Sequence, residues 1–139
     1  MPSRERSSLV LIVEPDPDDR ERYGAWLEDA GMTPINCPGP PIPGLTCLGI
    51  RGERCALPAV ADIIVLDATN LPGVSKSGTA VWRLLRYYLA AGKPVVLITD
   101  NYRKGPSFRA EQVAILRPNP GSESLKLAVR RMLQEAQRW

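Results

Sequence analysis

Apolar residues in this chain gather into short unbroken runs, and the segments between the runs carry a helical rhythm. The runs are LVLIV (Leu9 to Val13), the weaker TPIN (Thr33 to Asn36), IIVL (Ile63 to Leu66), PVVLIT (Pro94 to Thr99) and VAIL (Val113 to Leu116). The strongest of them lack polar alternation and are rich in valine and isoleucine, the pattern of strands covered on both faces of a parallel sheet. Pro17 to Ala30 places Tyr23, Trp26, Leu27 and Ala30 on one helical face, with Asp16 as cap, Pro17 as first helical residue and Gly31 as stop. Gly78 to Ala91 spaces Val81, Leu84, Leu85, Tyr88 and Leu89 in the same way and ends at Gly92. From Ser122 to roughly Arg138, Leu125, Val129, Met132 and Leu133 oppose a face bearing Lys126, Arg130 and Arg131. Strands alternating with helices predict an α/β fold with a doubly wound sheet.

Two segments interrupt the alternation. Cys37 to Pro58 holds five prolines and four glycines in twenty-two residues and has no sustained period, so a regular helix is not expected there. Between the fourth and fifth strands, Gly105 and Pro106 in DNYRKGPSF limit any helix. No internal repeat is evident.

Composition narrows the function classes. At 139 residues with 44% hydrophobic content, residues 1–139 are expected to fold as one domain. Eighteen basic and fifteen acidic residues are interspersed and leave a net charge of +3, a weak argument for nucleic acid, and no wide basic stripe with exposed aromatics is visible. LVLIV is too short for a membrane span or a signal core, so a cytoplasmic protein is expected. The chain has no histidine, which removes the Ser/His/Asp and Cys/His nucleophile arrangements and the commonest zinc ligand. An enzyme is therefore not expected.

The candidate chemistry begins at LIVEPDPDDR, where a strand ends in Glu14 and Asp16, Asp18 and Asp19 follow within five residues. Either the cluster holds a cation or it starts a helix. Asp18 and Asp19 read as first-turn acids that complement the helix N-terminus, and Asp16 divides between cap and pocket. Glu14 and Asp67, each at the end of a buried strand, are the stronger site candidates.

Four landmarks, LIVEPDPDDR, IIVLDATNLPG, PVVLITD and ILRPNP, together resemble the receiver domain of bacterial two-component response regulators from Leu9 to about Leu133. The resemblance implies a flavodoxin-like, five-stranded parallel sheet in the order 2-1-3-4-5, with the second helix replaced by the Pro/Gly/Cys-rich loop insertion at 37–58. It implies an acidic pocket at Glu14 and Asp16, Asp67 as phosphoacceptor, Thr99 and Arg117 as phosphate contacts, and Mg2+ held by Glu14, Asp16 and Asp67. It also implies signal transduction of the two-component or phosphorelay type. The partner would be a histidine kinase or a downstream effector, with a homodimer as a further form. With no second domain pattern before Trp139, a stand-alone receiver is expected.

The chain departs from the family pattern at several points. The second acid of the usual pair is Pro15, which has no ligating side chain, and the Lys-Pro pair has become Arg117 and Pro118, a planar guanidinium in place of a compact ammonium. The switch aromatic falls at about Ala114, the segment from Asp67 to Pro72 is one residue longer than usual, and the fourth helix is shortened. These changes point to a divergent or pseudo-receiver. A rival reading from another class makes the protein a thiol- or metal-based sensor, with Cys37, Cys47 and Cys55 as the sensing groups and the receiver as scaffold. Their spacing is not that of common zinc pairs. Inert thiols, a Zn or Fe-S site completed by another group, and a reversible disulfide all remain open, with at least two of the three cysteines expected to be within reach of each other.

Overall fold

The structure is a computed structural model that describes residues 7–37, 60–69, 79–99 and 112–136, and for 79–84 the backbone alone. Its elements are β1 (Leu9–Val13), α1 (Pro17–Asp29), β2 (Thr33–Cys37), β3 (Ile63–Asp67), α2 (Thr79–Ala90), β4 (Val95–Ile98), β5 (Val113–Leu116) and α3 (Ser122–Ala136). The strands form one sheet, every pair parallel, in the order β2-β1-β3-β4-β5. This is the expected flavodoxin-like order. Pro38 to Ala59, which holds most of the loop insertion including Cys47 and Cys55, lies outside the described residues. So do the segment from Asn70 to Gly78 and that from Asp100 to Glu111, on which the expectation of a shortened fourth helix falls.

Unalternating strands require cover on both faces, and the core divides accordingly. On one face Val10, Ile12, Ile63, Val65, Val96 and Ile98 pack against Tyr23 and Leu27 of α1 and Leu125, Val129 and Met132 of α3. On the other, Leu11, Val13, Ile64, Leu66, Val95 and Leu97 pack against Leu85 and Tyr88 of α2. The predicted apolar stripes of α1 and α3 thus become the lower side of one layer, with Trp26, Ala30 and Leu133 partly buried at its margin. Where α1 and α3 meet the solvent, Lys126 reaches Asp29 at 3.3 Å, a contact too exposed to contribute much stability.

Local chemistry sets where α1 begins and ends. Asp16 is extended, and its Oδ1 accepts from the backbone N–H groups of Asp18 at 2.9 Å and Asp19 at 3.5 Å. Pro17 follows at the position where a missing N–H costs nothing. At the other end Gly31 adopts φ +86°, the Gly31 N–H donates to Glu28 O and the Met32 N–H donates to Leu27 O. Gly92 repeats the device after α2 with φ +79°. Both stops turn the chain directly into the next strand.

Register fixes the functional edge. Val13 pairs with Leu66, and Leu66 pairs with Leu97. The next residues, Glu14 and Asp67, therefore sit side by side at the C-terminal edge of the sheet, on the layer covered by α1 and α3. Ligands bind outside that edge in open α/β sheets.

Candidate functional site

Glu14 is fully buried at 0% exposure and Asp67 nearly so at 2%. Buried carboxylates need polar partners or neutralising charge, and the backbone supplies part of this. Glu14 Oε2 accepts from the Asp16 N–H at 3.0 Å, its own N–H donates to Cys37 O at 2.9 Å, and Arg20 Nη1 donates to Glu14 O at 2.7 Å. Asp67 Oδ1 accepts from the backbone N–H of Thr69 at 2.9 Å and from the Thr69 hydroxyl. Beyond β3, the Ala68 N–H donates to Ile98 O at 2.8 Å and holds the strand end against β4.

A third carboxylate completes the cluster, and it is Asp19. One oxygen each from Glu14, Asp19 and Asp67 lies within 4.8 Å of the others. Asp19 also pairs with the exposed Arg22. Asp16, the third acid implied by the sequence, is instead the cap of α1 and is not part of this group. The cause is helix phase. Asp16 sits outside the first turn facing its backbone donors, whereas Asp19 lies one turn before the buried Tyr23 and two turns before the buried Leu27, on the stripe that faces the sheet.

Charges this close repel by roughly 3–4 kcal/mol per pair at an effective dielectric constant near 20. The guanidinium groups of Arg20 and Arg22 offset part of that. The donor set is made of carboxylate oxygens, the ligand chemistry that hard cations such as Mg2+ and Ca2+ take.

Tyr23 borders the cluster from below. Its ring is 1% exposed, and the charges of Asp67 and Glu14 act on its phenol. Its phenol is pushed up to about 12 from an ordinary 10, first by burial, then by the charge of Asp67, then by that of Glu14. Among the described residues the buried hydroxyl has no hydrogen-bond partner. Trp26 stacks at a tilt beside it with ring centroids 5.7 Å apart, and the Arg22 guanidinium carbon lies 5.9 Å from each of the two ring centroids.

The remaining candidates share the edge but not the cluster. Thr99 follows β4 directly, is 9% exposed and donates its N–H to Leu116 O at 3.0 Å. Arg117 follows β5 and is exposed, and among the described residues no ion pair joins it to Asp67. Two strand spacings, about 10 Å in all, separate their backbones. Ala114 is half-buried on β5 against the α3 layer, where it presents no aromatic ring. Cys37 ends β2 half-buried, and its carbonyl receives the Glu14 N–H, so the start of the cysteine loop is tied to the acidic edge.

The doubly wound parallel sheet defines the fold class of the molecule, and solved structures share that fold. The chain shares the fold of response regulator receiver domains. A CheY-like receiver domain protein from Methanospirillum hungatei JF-1 superposes with a TM-score of 0.64 at 19% identity, over 95% of this chain and 98% of that one. A receiver protein from Sinorhizobium medicae WSM419 gives 0.61 at 15% identity over 94% and 97%. The signal receiver domain of an HD domain-containing protein from Pseudomonas fluorescens Pf-5 gives 0.63 at 17% over 96% and 100%. No protein-family profile matches the sequence, and neither does any curated protein. Among the described residues, no helix is long and apolar enough to cross a membrane.

Proposed function

We propose that the chain is a single receiver-like domain of the two-component type that works in the cytoplasm through protein–protein contacts and not by catalysis. Its partner is a histidine kinase or a downstream effector, or a second copy of the chain. The observation that carries this reading is the side-by-side burial of Glu14 and Asp67 at the C-terminal edge of a 2-1-3-4-5 sheet. The charge state of that cleft sets which of two surfaces the domain presents, as phosphate does in switching domains generally.

Asp67 is a poor phosphoacceptor in this account. The exposed Arg117 stands where a compact ammonium would meet the incoming phosphoryl group, and Pro15 removes an acidic side chain from the first strand end. Purified protein incubated with Mg2+ and acetyl phosphate is expected to gain at most a substoichiometric phosphoryl adduct by intact mass. Stoichiometric, Mg2+-dependent modification that disappears in Asp67→Ala would contradict this.

The hydrogen bond from Glu14 to Cys37 favours a second reading, in which the state of the cysteine loop is passed to the same cleft. Metal analysis of anaerobically purified protein separates it from the first, because zinc or iron in stoichiometric amount supports a loop sensor and its absence removes the metal form.

A further inference from the structure

We propose that the groove between β5 and α3 takes the indole of Trp139, so that the residues following α3 strap that helix to the edge of the sheet. The inference goes beyond the receiver reading and makes no use of the acidic cleft. The groove has a volume of about 860 Å³ and is floored by Val113, Ala114, Leu116, Ala128 and Met132, with Glu135 on its rim. A concave space of this size with mostly apolar walls is suited to an apolar or aromatic group. β5 is an edge strand, so among the described residues no further strand covers that side. Leu127, also on the groove, is 53% exposed, one of two large apolar side chains that the described residues leave in solvent.

Helix phase selects the occupant. α3 runs to Ala136, and Gln137, Arg138 and Trp139 follow it. Ala128, Met132 and Glu135 lie eleven, seven and four residues before Trp139, the spacing of a single helical face. A helical path carried three residues further puts Trp139 on the groove side, about 6 Å along the axis beyond Glu135. Helical side chains lean toward the N-terminus of their helix, so the indole returns over Glu135 toward Met132. α3 packs back along β5 after the turn between them, which brings this end of the helix beside Val113 at the start of the strand. An indole buries a large apolar area while its ring N–H meets water or the Glu135 carboxylate at the rim. The tether is three residues long, so the local concentration of the indole is on the order of millimolar, a level that a separate peptide must match to displace it.

Fluorine NMR of the whole chain labelled with 5-fluorotryptophan reads the docking directly. Trp26, Trp82 and Trp139 give one resonance each, and Trp139→Ala identifies the third. That resonance is expected to stand apart from 5-fluorotryptophan in the same buffer and to show the small solvent-isotope shift of a covered ring. Methyl-labelled methionine supplies a second readout from the groove itself. Met132→Leu assigns its methyl signal, which is expected to move in Trp139→Ala while that of Met32, beside β2 at the opposite edge, stays in place. A Trp139 resonance at the position of the amino acid in solution would overturn the proposal, as would a Met132 methyl unmoved by Trp139→Ala. Signals that shift on tenfold dilution would overturn it as well, by making a second copy of the chain the source of the indole. Each of these results leaves the receiver reading untouched, because that reading is tested at Asp67.

Discussion

Tyr23→Phe is expected to keep stability that the wild-type protein loses between pH 10 and pH 12. The Tyr23 phenol ionises at about 12 in the folded chain and at 10 when unfolded. Its contribution is fully present below pH 10, and it drains away as the unfolded state begins to release a proton that the folded state still holds. Two pH units of difference correspond to roughly 2–3 kcal/mol. Phenylalanine has no proton to lose, so the gap in unfolding free energy between the two proteins should widen in favour of the variant across this window. Lysines and other tyrosines titrate in both proteins and cancel in the difference. Chemical denaturation at pH 9.5, 10.5 and 11.5 measures it, and parallel curves would mean that Tyr23 is neither buried nor close to Asp67 and Glu14 as described.

The second large effect concerns charge crowding. Asp67→Asn retains the oxygen that accepts from Thr69 and removes one of the three negative charges held within 4.8 Å. Each lost pair relieves a few kcal/mol of repulsion, and the nearby Arg20 and Arg22 reduce the net gain to about 1–2 kcal/mol, or a rise in Tm of about 3–7 °C for a chain of this size. The comparison belongs in EDTA, so that no cation masks the repulsion in wild type. A variant that melts at or below the wild-type temperature would show that Asp67 is held by attraction and that the cleft is not crowded.

The parts of this molecule that were legible in the sequence are those where one physical cause acts alone. β1, β3 and β4 are buried on both faces and leave unbroken apolar runs. Asp16, Pro17 and Gly31 punctuate α1 because capping and positive φ demand those residue types. Glu14 and Asp67 could be placed together because parallel strands bring their ends to one edge. β2 was weak to read because it is an edge strand with a mixed burial pattern, and it runs one residue further, to Cys37. Asp19 was harder, since an acid in the first turn serves the helix dipole wherever it points. The available signal was its place four residues before Tyr23 and eight before Leu27, which continues the buried stripe into the cleft. The exposure of Arg117 carried no signal at all, because strand order gives its edge and not the direction of a long flexible side chain. The expected approach of the three cysteines to one another lies outside the described residues, apart from Cys37.

The central claim is that the charge of the Glu14–Asp67 cleft governs which protein the domain binds. Quantitative recovery of bound proteins from the native cells, using equal amounts of wild type and Asp67→Asn as bait, addresses it directly. The account predicts at least one partner whose recovery changes severalfold between the two baits while both remain folded. The same proteins recovered in the same amounts by both would contradict it.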